Sequence, residues 1–478
     1  MTDSLRYRRF FRISLLFISL LAFLAAGCGR NSSETTVGTN TQFIFISDIH
    51  FSPFYDETLF NDLVRTEVAQ WAGIFESSMI TEPQSWGNET NYPLLTQALD
   101  AARKQLSSMP FLLFGGDILA HKFREKFFGL YGKEDEEALR SFSYKTVTFF
   151  VSEVRERFGE VPILFILGNN DAYAGDYLIV PGGPFLADTA ELFYSELLLQ
   201  GADRERYLRT YSAGGYYVAD PPGSKVLFVC LNAVLFSGRR PDVTVEEEDA
   251  ALKQLEWLEE TLVSAGKEGR KVWLFLHIPP GADIFGTVNT YMDDTGHISD
   301  AVTMWKEKYQ QRFLELTARH AGIIEAGFAG HTHMDEYLIT PSDGAEDSGT
   351  IVISPSISPI FGNDPGFKVM KMDSENWRLR DYRSVAYHFE DPAPEFGFYY
   401  DFSDTYGSDL LLKDALIDLY PELATNDAKR QAYSRYYYSG HNEGDPIDDT
   451  NWPAYWCGIG RLNKLDYIDC VNNYLSEK

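Results

Sequence analysis

The chain has 478 residues, of which 44% are hydrophobic and 15% aromatic, and its formal net charge at pH 7 is −28. A chain of this length and apolar content can bury a large core, so we expect one main domain with accessory elements. The acidic balance argues against nucleic acid as a partner, because polyanions bind basic patches and no Lys/Arg cluster lies outside the first 28 residues.

The N-terminal segment, residues 1–28, predicts a lipoprotein-type signal peptide. A basic start is followed by the apolar stretch 13–26, which is shorter than a membrane-spanning helix requires. Small residues stand directly before Cys28, as at a bacterial lipoprotein cleavage site. Residues 29–41, rich in Ser, Thr, Asn and Gly, then predict a flexible tether. We expect an exported protein held to a bacterial membrane through Cys28 and facing the periplasm or the cell exterior; an ordinary signal peptide with an incidental cysteine is the alternative.

Five short polar blocks follow along the chain, each directly after an apolar run. They are Asp48-Ile49-His50, Gly116-Asp117, Gly168-Asn169-Asn170-Asp171, His277 and Gly330-His331-Thr332-His333. Short apolar runs of this kind predict buried strands, and the ends of successive strands meet at one edge of a sheet. The sequence therefore predicts that these polar side chains converge.

Seven side chains of these blocks form a ligand set for two divalent cations. They are Asp48, His50, Asp117, Asn169, His277, His331 and His333. Residues at i and i+2 at a strand end point to the same side, and a carboxylate such as that of Asp117 can bridge two ions. A mixed nitrogen and oxygen shell favours Zn, Mn or Fe over Mg or Ca. Two such ions about 3.5–4 Å apart polarise a phosphoryl oxygen and generate a bound hydroxide, so phosphoester hydrolysis is the natural reaction.

Each block alone has a structural explanation, since Asp after a strand is often a helix cap and Gly-Asn is a common turn. The set is harder to explain in that way. Four of the nine histidines fall in these blocks, and every block stands in the same position after an apolar run. We therefore favour the metal site.

The order of the blocks resembles the calcineurin-like metallophosphoesterases over residues 41–390. The resemblance implies a two-sheet α/β/β/α sandwich. It also implies one ion held by Asp48, His50, Asp117 and His333 and a second held by Asp117, Asn169, His277 and His331. Within that superfamily the chain is most similar to the acid sphingomyelinase-like phosphodiesterases. Three features carry this similarity: the extension Phe51–Tyr55, His121 four residues after Asp117, and a tyrosine-rich C-terminal region closing with two cysteines.

One catalytic position departs from the family pattern. The superfamily usually has His after the metal-binding Asn, where it contacts the phosphate or protonates the leaving group, whereas this chain has Asn170. Because Asn cannot act as a general acid at neutral pH, the resemblance leaves His121 as the proton donor. A helix residue that shields the site is the alternative for His121. A phosphoanhydride substrate, whose leaving group needs no proton, is a second solution, and Gly-Asn-Asn-Asp also resembles the endopolyphosphatase branch.

The remaining pattern predicts a catalytic domain over residues 42–390 and a helical, aromatic-rich C-terminal subdomain over 391–478. Further predictions are an overhanging loop at Thr81–Pro93, helices at 134–158 and Glu246–Ala265, and a hairpin within Tyr211–Val234 that turns at Ala213-Gly214-Gly215. Strands within Thr350–Met372 and Trp377–Ser384 are predicted to complete the second sheet.

The cysteines agree with export. Cys230 lies in an apolar run and is predicted to be a buried thiol. Cys457 and Cys470 stand close together near the C-terminus, so they are candidates for a disulfide, which would resemble a terminal bridge of acid sphingomyelinases. Two separate reduced thiols are the alternative.

The favoured function is extracytoplasmic, binuclear metal-dependent hydrolysis of a small phosphodiester or a phospholipid head group. Phosphoanhydride hydrolysis of polyphosphate or nucleotides is the first alternative, which Asn170 favours and the acidic charge disfavours. A non-catalytic, lipid-anchored metal-binding protein is the second. The complete ligand set argues against it.

Overall fold

Two six-stranded β-sheets carry the fold. The computed structural model describes residues 40–106, 111–197, 203–221, 224–240, 244–342, 348–441 and 446–476. The predicted signal peptide, the anchor at Cys28 and nearly all of the predicted tether lie outside these residues. None of the helices in the described ranges is both long and apolar enough to cross a membrane.

The strands are β1 (Asn40–Ile46), β2 (Leu112–Phe114), β3 (Ile163–Phe165), β4 (Tyr217–Ala219), β5 (Val226–Cys230), β6 (Lys271–Phe275), β7 (Ile324–Ala329), β8 (Glu336–Thr340), β9 (Gly349–Ile353), β10 (Gly366–Asp373), β11 (Leu379–Tyr387) and β12 (Phe396–Asp401). The first sheet has the order β12-β11-β10-β1-β2-β3 and the second the order β4-β5-β6-β7-β9-β8. Strands β1, β2 and β3 run parallel, as do β5, β6, β7 and β9. The carboxyl ends of these parallel strands carry the five polar blocks.

The helices are α1 (Phe60–Arg65), α2 (Trp71–Glu76), α3 (Tyr92–Lys104), α4 (Phe123–Tyr131), α5 (Glu136–Phe158), α6 (Pro184–Leu197), α7 (Arg204–Gly214), α8 (Val245–Lys267), α9 (Ile284–Tyr291), α10 (Glu307–Arg319), α11 (Phe402–Tyr406), α12 (Leu412–Thr425), α13 (Asp427–Tyr437), α14 (Trp452–Gly460) and α15 (Lys464–Ser476). Local sequence explains their starts: Asp135 caps α5, and Thr244 forms a capping box with Glu247 at the start of α8. The helices predicted at 134–158 and 246–265 are confirmed.

Aromatic side chains join the two sheets. The ring of Phe43 in β1 stacks on Phe111 at 4.4 Å and lies 5.7 Å from Trp273 in β6 and 5.6 Å from Phe328 in β7. All four side chains are buried. Both faces of these strands are covered, which is why they read as continuous apolar runs rather than as an alternating pattern. The predicted two-sheet α/β sandwich is confirmed.

Two local predictions are wrong. Strands β10 and β11 belong to the first sheet rather than the second, because β10 pairs antiparallel with β1, with Asn40 opposite Asp373. The hairpin predicted through Ala213-Gly214-Gly215 is instead the end of α7, where the backbone of Gly215 adopts a φ of 77° and its N–H bonds the carbonyl of Tyr211. The hairpin is formed by β4 and β5.

The C-terminal region begins with a strand and continues as helices. Strand β12 extends the first sheet by pairing with β11, and α11 follows it directly. Cys457 in α14 is bonded to Cys470 in α15, with an S–S distance of 2.02 Å, so the predicted disulfide is confirmed. Cys230 is a buried free thiol, also as predicted.

We expect Phe43→Ala to lower the free energy of unfolding by about 3–5 kcal/mol, because it removes the ring that contacts both sheets and leaves a cavity. Phe285→Ala is the matched control, since 55% of the Phe285 side chain is exposed; its effect should stay below about 1 kcal/mol. Chemical denaturation measures both. Equal losses would contradict the assignment of Phe43 to the inter-sheet core.

Candidate metal centre and active site

The polar blocks meet where the two sheets end. Asp48 and His50 follow β1, Asp117 follows β2, and Asn169 follows β3 in the first sheet. From the second sheet, His277 follows β6, and His331 and His333 follow β7. Six of these seven side chains are buried and His331 is partly buried. The structure thus brings together all seven predicted metal ligands.

The ligand atoms form two groups that share Asp117. In the first, His50 Nε2 lies 3.1 Å from His333 Nε2 and 3.5 Å from Asp117 Oδ2, and His333 Nε2 lies 3.4 Å from Asp48 Oδ1. In the second, His277 Nε2 lies 3.2 Å from Asp117 Oδ2, and His331 lies within 4.8 Å of both these side chains. Two clusters with one shared carboxylate are the arrangement that a pair of bridged cations requires.

Asn169 joins the second group. Its Oδ1 lies 3.2 Å from His277 Nε2. The amide thus places a neutral oxygen beside an imidazole nitrogen and the shared carboxylate, as the predicted second ion would need. The distribution of the seven ligands between two ions stays a prediction.

Hydrogen bonds on the outer ring nitrogens orient two of the imidazoles. His277 Nδ1 donates to the carbonyl of Gly115 at 2.7 Å, and His50 Nδ1 donates to the carbonyl of Leu119 at 3.2 Å. In the neutral rings, the Nε2 atoms are then lone-pair donors that face the cluster. This close approach also explains Gly116, because a Cβ at that position would lie 2.6 Å from His277 Nδ1.

Backbone strain is concentrated in the ligand blocks. Nine non-glycine residues of the described chain have positive φ, and five of them are predicted ligands: Asp48, His50, Asp117, His331 and His333. Such conformations cost about 1–3 kcal/mol each and persist where the surroundings enforce them, characteristically at functional sites. The fold therefore accepts a loss of stability in the backbone that directs these side chains toward the cluster.

The donor set fits divalent metal ions. Because His50 Nδ1 donates its proton to the carbonyl of Leu119, His50 Nε2 faces His333 Nε2 with a lone pair at 3.1 Å. Two nitrogens at that distance need a proton or a cation between them. Imidazole nitrogens, carboxylates and one amide oxygen are ligands of Zn, Mn and Fe. The chemistry of the cluster thus agrees with the predicted cofactor class.

Protonation of the metal-free cluster is set by its buried charges. Burial disfavours a charged imidazole, but Asp117 and Asp48 outweigh it and raise the pKa of His277 to about 9. Burial lowers the pKa of His331 to about 4, so that imidazole is neutral. The pKa of Asp117 is well below its usual range, because the imidazoles of His277 and His50 outweigh the effect of burial. A metal ion must therefore displace a proton from His277 at neutral pH.

Asp171 was not predicted as a site residue, yet it holds two ligand blocks together. Its carboxylate accepts the backbone N–H groups of Asp117 and Gly168, both at 2.9 Å. It also accepts that of Ile118 at 2.9 Å. Burial and the charge of Asp117 raise the pKa of Asp171 to about 6, while these backbone donors act in the opposite direction. Its place as the last residue of Gly-Asn-Asn-Asp was the sequence signal.

Asn170, a predicted catalytic residue, donates two hydrogen bonds to the shared carboxylate of Asp117. Its backbone N–H donates to Asp117 Oδ1 at 2.7 Å and its Nδ2 donates to Asp117 Oδ2 at 2.8 Å. The structure therefore gives Asn170 an orienting contact with a predicted ligand of both ions.

His121, the other predicted catalytic residue, lies against the first ligand group. Its ring stacks on His50, with centroids 4.0 Å apart and an interplanar angle of 14°. Glu89 Oε1 accepts the backbone N–H of His121 at 2.6 Å and faces His121 Nδ1 at 3.2 Å. Glu89 Oε2 binds the ammonium group of Lys126. Sequence reasoning missed Glu89, whose one signal was its position in the predicted overhanging loop.

Comparison with known proteins agrees with this geometry. Residues 41–335 match the family described as calcineurin-like phosphoesterase. Cyclic GMP-AMP phosphodiesterase SMPDL3A of Mus musculus is 23% identical over 453 residues, which are 91% of this chain and 92% of that protein. Sphingomyelinase phosphodiesterase D of Dictyostelium discoideum is 24% identical over 373 residues, which are 74% of this chain and 75% of that protein. A dimetal phosphatase from Danio rerio aligns with a TM-score of 0.41 and 13% identity over 78% of this chain and 98% of its own. The family match and the two sequence relatives confirm the resemblance to the acid sphingomyelinase-like branch.

We expect metal uptake to release protons. At about pH 7.5, His277 is protonated in the metal-free cluster because its pKa is about 9, and coordination requires the neutral ring. Affinity for Zn or Mn should therefore rise with pH up to about 9 and fall as pH is lowered. Titration calorimetry in buffers of different ionisation enthalpy measures the released protons. A binding enthalpy that does not depend on the buffer would contradict the protonation of His277.

We expect Asp171→Ala to weaken metal affinity by about 10–100-fold, because the backbone of two ligand blocks loses its acceptor. Asp293→Ala is the control, since Asp293 also accepts a backbone N–H, from Thr295 at 2.9 Å, but in an exposed turn. Competition with a chromophoric chelator measures both variants. A loss of affinity in the control of the same size would show a general effect of removing turn caps.

Proposed function

The chain belongs to the calcineurin-like phosphoesterase family, and we propose that it is an exported, binuclear-metal phosphodiesterase of small phosphodiesters or phospholipid head groups. That it is a metal-dependent phosphoester hydrolase follows from the family and from the clustered Asp and His side chains. The choice of a diester rests on one observation above all: His121 lies beside the first ligand group, bound by a buried carboxylate.

Asp48, His50, Asp117 and His333 would hold one ion, and Asp117, Asn169, His277 and His331 the other, with Zn, Mn or Fe as the metal. When bound, two such ions supply positive charge to the phosphoryl oxygens and lower the pKa of a coordinated water. Asn170 keeps the Asp117 carboxylate in the orientation that serves both groups.

His121 would protonate the leaving alcohol. In hydrolysis, water gives up a proton to solvent as its oxygen forms a bond to phosphorus, the bond from phosphorus to the alcohol oxygen breaks, and that oxygen takes a proton from His121, which regains one from solvent. Glu89 faces His121 Nδ1, which leaves the other ring nitrogen available to the substrate. Although burial opposes it, His121 and Lys126 keep the pKa of Glu89 below its usual range, so the carboxylate is charged at neutral pH.

Phosphoanhydride hydrolysis is the second candidate, and Asn170 is the observation that favours it. An anhydride leaving group needs no proton, so the absence of His at this position would be harmless. The contacts of Asn170 with Asp117 weaken this argument, because they give the residue a purpose in either reaction. A non-catalytic metal-binding protein is the third candidate, and the complete ligand cluster disfavours it.

Export and the lipid anchor at Cys28 are part of the same proposal. The disulfide between Cys457 and Cys470 supports export, because such bonds persist in oxidising compartments. The relatives named as sphingomyelinases and as a cyclic GMP-AMP phosphodiesterase support diester substrates.

The decisive assay compares three substrates with the full chain loaded with Zn or Mn. We expect cleavage of sphingomyelin or cyclic GMP-AMP, read as phosphocholine or nucleotide release, and loss of that activity after chelation. Metal-loaded Asp48→Ala, which removes one predicted ligand, is the background control. Cleavage of long-chain polyphosphate alone would reject the diester in favour of the anhydride, and tight metal binding without turnover would favour the third candidate.

We expect Glu89→Gln to act according to the leaving group. General acid catalysis contributes about 10²–10⁴-fold, and an acidic phenol such as p-nitrophenol needs little of it. The variant should therefore lose at least about tenfold in kcat/KM on an alkyl diester and much less on bis(p-nitrophenyl) phosphate. Glu125→Gln, which neutralises an exposed carboxylate of α4 outside the contacts of His121, is the control. Equal losses on both substrates would assign Glu89 a purely structural role.

A further inference from the structure

Next to His121, on the far side of Glu89, lies a cleft of about 510 Å³. We propose that it binds the leaving alcohol of the substrate, and that this alcohol has an uncharged, largely apolar body. The inference rests on the proposed phosphodiesterase function and extends it to the substrate class. A volume between about 300 and 1,000 Å³ is typical of small-molecule sites.

The cleft is joined to the reaction site through Glu89. One oxygen of this carboxylate binds His121, and the other binds Lys126, which lines the cleft. Glu89 is buried, so it forms a wall shared by the proposed proton donor and the cleft. A leaving group protonated by His121 therefore departs beside this opening.

A second connection runs through Phe361. Its ring lies 4.6 Å from His333 and 5.7 Å from His121, and 54% of the side chain is exposed. The preceding residue, Ile360, lines the cleft. The chain thus continues from the first ligand group to the cleft as an apolar rim that is open to solvent.

The walls indicate what the cleft accepts. Phe54, Leu130 and Ile360 supply apolar surface, and Tyr55 adds an aromatic ring. The hydroxyl of Tyr55 is already engaged, because it accepts the backbone N–H of Glu89 at 2.6 Å. An alkyl chain or a flat ring gains most from such a surface, since its burial removes apolar area from water.

Charge argues against an anionic leaving group. Lys126 is the one cation among the cleft residues that the structure describes, and Glu89 neutralises it. Glu57, exposed at the cleft, adds a negative charge. A shortened polyphosphate, the leaving group of an anhydride reaction, would meet net negative charge here, whereas an uncharged alcohol would not.

Position 129 offers a way to fill the cleft without disturbing the core. Gly129 lines the cleft from α4, and a Cβ added there meets no other atom within 4 Å. Gly129→Trp therefore places a large ring at the cleft. Gly73→Trp is the matched control, because Gly73 is also an exposed helical glycine with no atom within 4 Å of an added Cβ, and it lies in α2 outside the cleft lining.

The test uses three phosphodiesters, each with an activated phenol as the leaving group and a methyl or hexyl group that is retained on the phosphate. Methyl p-nitrophenyl phosphate is the reference, a hexanoylamino chain on the nitrophenol ring enlarges the leaving group, and hexyl p-nitrophenyl phosphate enlarges the retained group instead. With the metal-loaded full chain, we expect the chain on the leaving ring to raise kcat/KM at least fivefold over the reference. Gly129→Trp should abolish this gain in kcat/KM, and Gly73→Trp should keep it.

Other outcomes overturn the inference. If the hexyl group raises kcat/KM over the reference and Gly129→Trp removes that gain, the cleft binds the retained group. If neither enlarged substrate raises kcat/KM over the reference in the unchanged protein, the cleft binds neither group. Failure to hydrolyse even the reference would reject the proposed function. In that case, binding of the free hexanoylamino nitrophenol still decides the inference: saturable binding that Gly129→Trp removes and Gly73→Trp keeps supports the cleft, and its absence refutes it.

Discussion

The burial of two carboxylates among four imidazoles is the constraint on which the rest of the structure depends. Charges taken out of water are strongly destabilising unless they are paired, and Asp48 and Asp117 are both fully buried. In the metal-free protein, the raised pKa values of His277 and His50 favour positive charges that pair these carboxylates, and a pair of cations would do so more completely. Asp171 and Asn170 belong to the same solution, because the first fixes the backbone of the Asp117 block and the second fixes its carboxylate.

The paired burial of these carboxylates depends on how the two sheets of the sandwich are packed. The ligand groups draw residues from both sheets, so their geometry depends on the relative position of β1, β6 and β7. The aromatic contacts of Phe43 with Trp273 and Phe328 fix that position by close packing. The positive φ values of the ligand blocks are then tolerated because rigid strands precede them. Packing stability between the sheets thus offsets conformational strain at their edge.

Sequence patterns predicted what is local and missed what depends on long-range pairing. The polar blocks could be found because each follows an apolar run, and the disulfide because Cys457 and Cys470 are near in sequence. The sheet that receives β10 could not be read in the same way, since its partner β1 lies more than three hundred residues earlier and both sheets require apolar strands. Glu89 was missed for a related reason: its loop has no periodic pattern, and only the folded chain brings it to His121.

Glu89 also explains how one side chain can influence both chemistry and specificity. A buried carboxylate has two oxygens to satisfy, and here His121 takes one and Lys126 the other. The first contact orients the proposed proton donor, and the second neutralises the only described cation in the cleft wall. A free Lys126 would attract anionic groups, whereas the paired one leaves apolar surface to dominate. In the proposed reaction, the ion pair that keeps Glu89 charged would bias the adjoining cleft toward uncharged leaving groups and so link the diester chemistry to the choice of substrate.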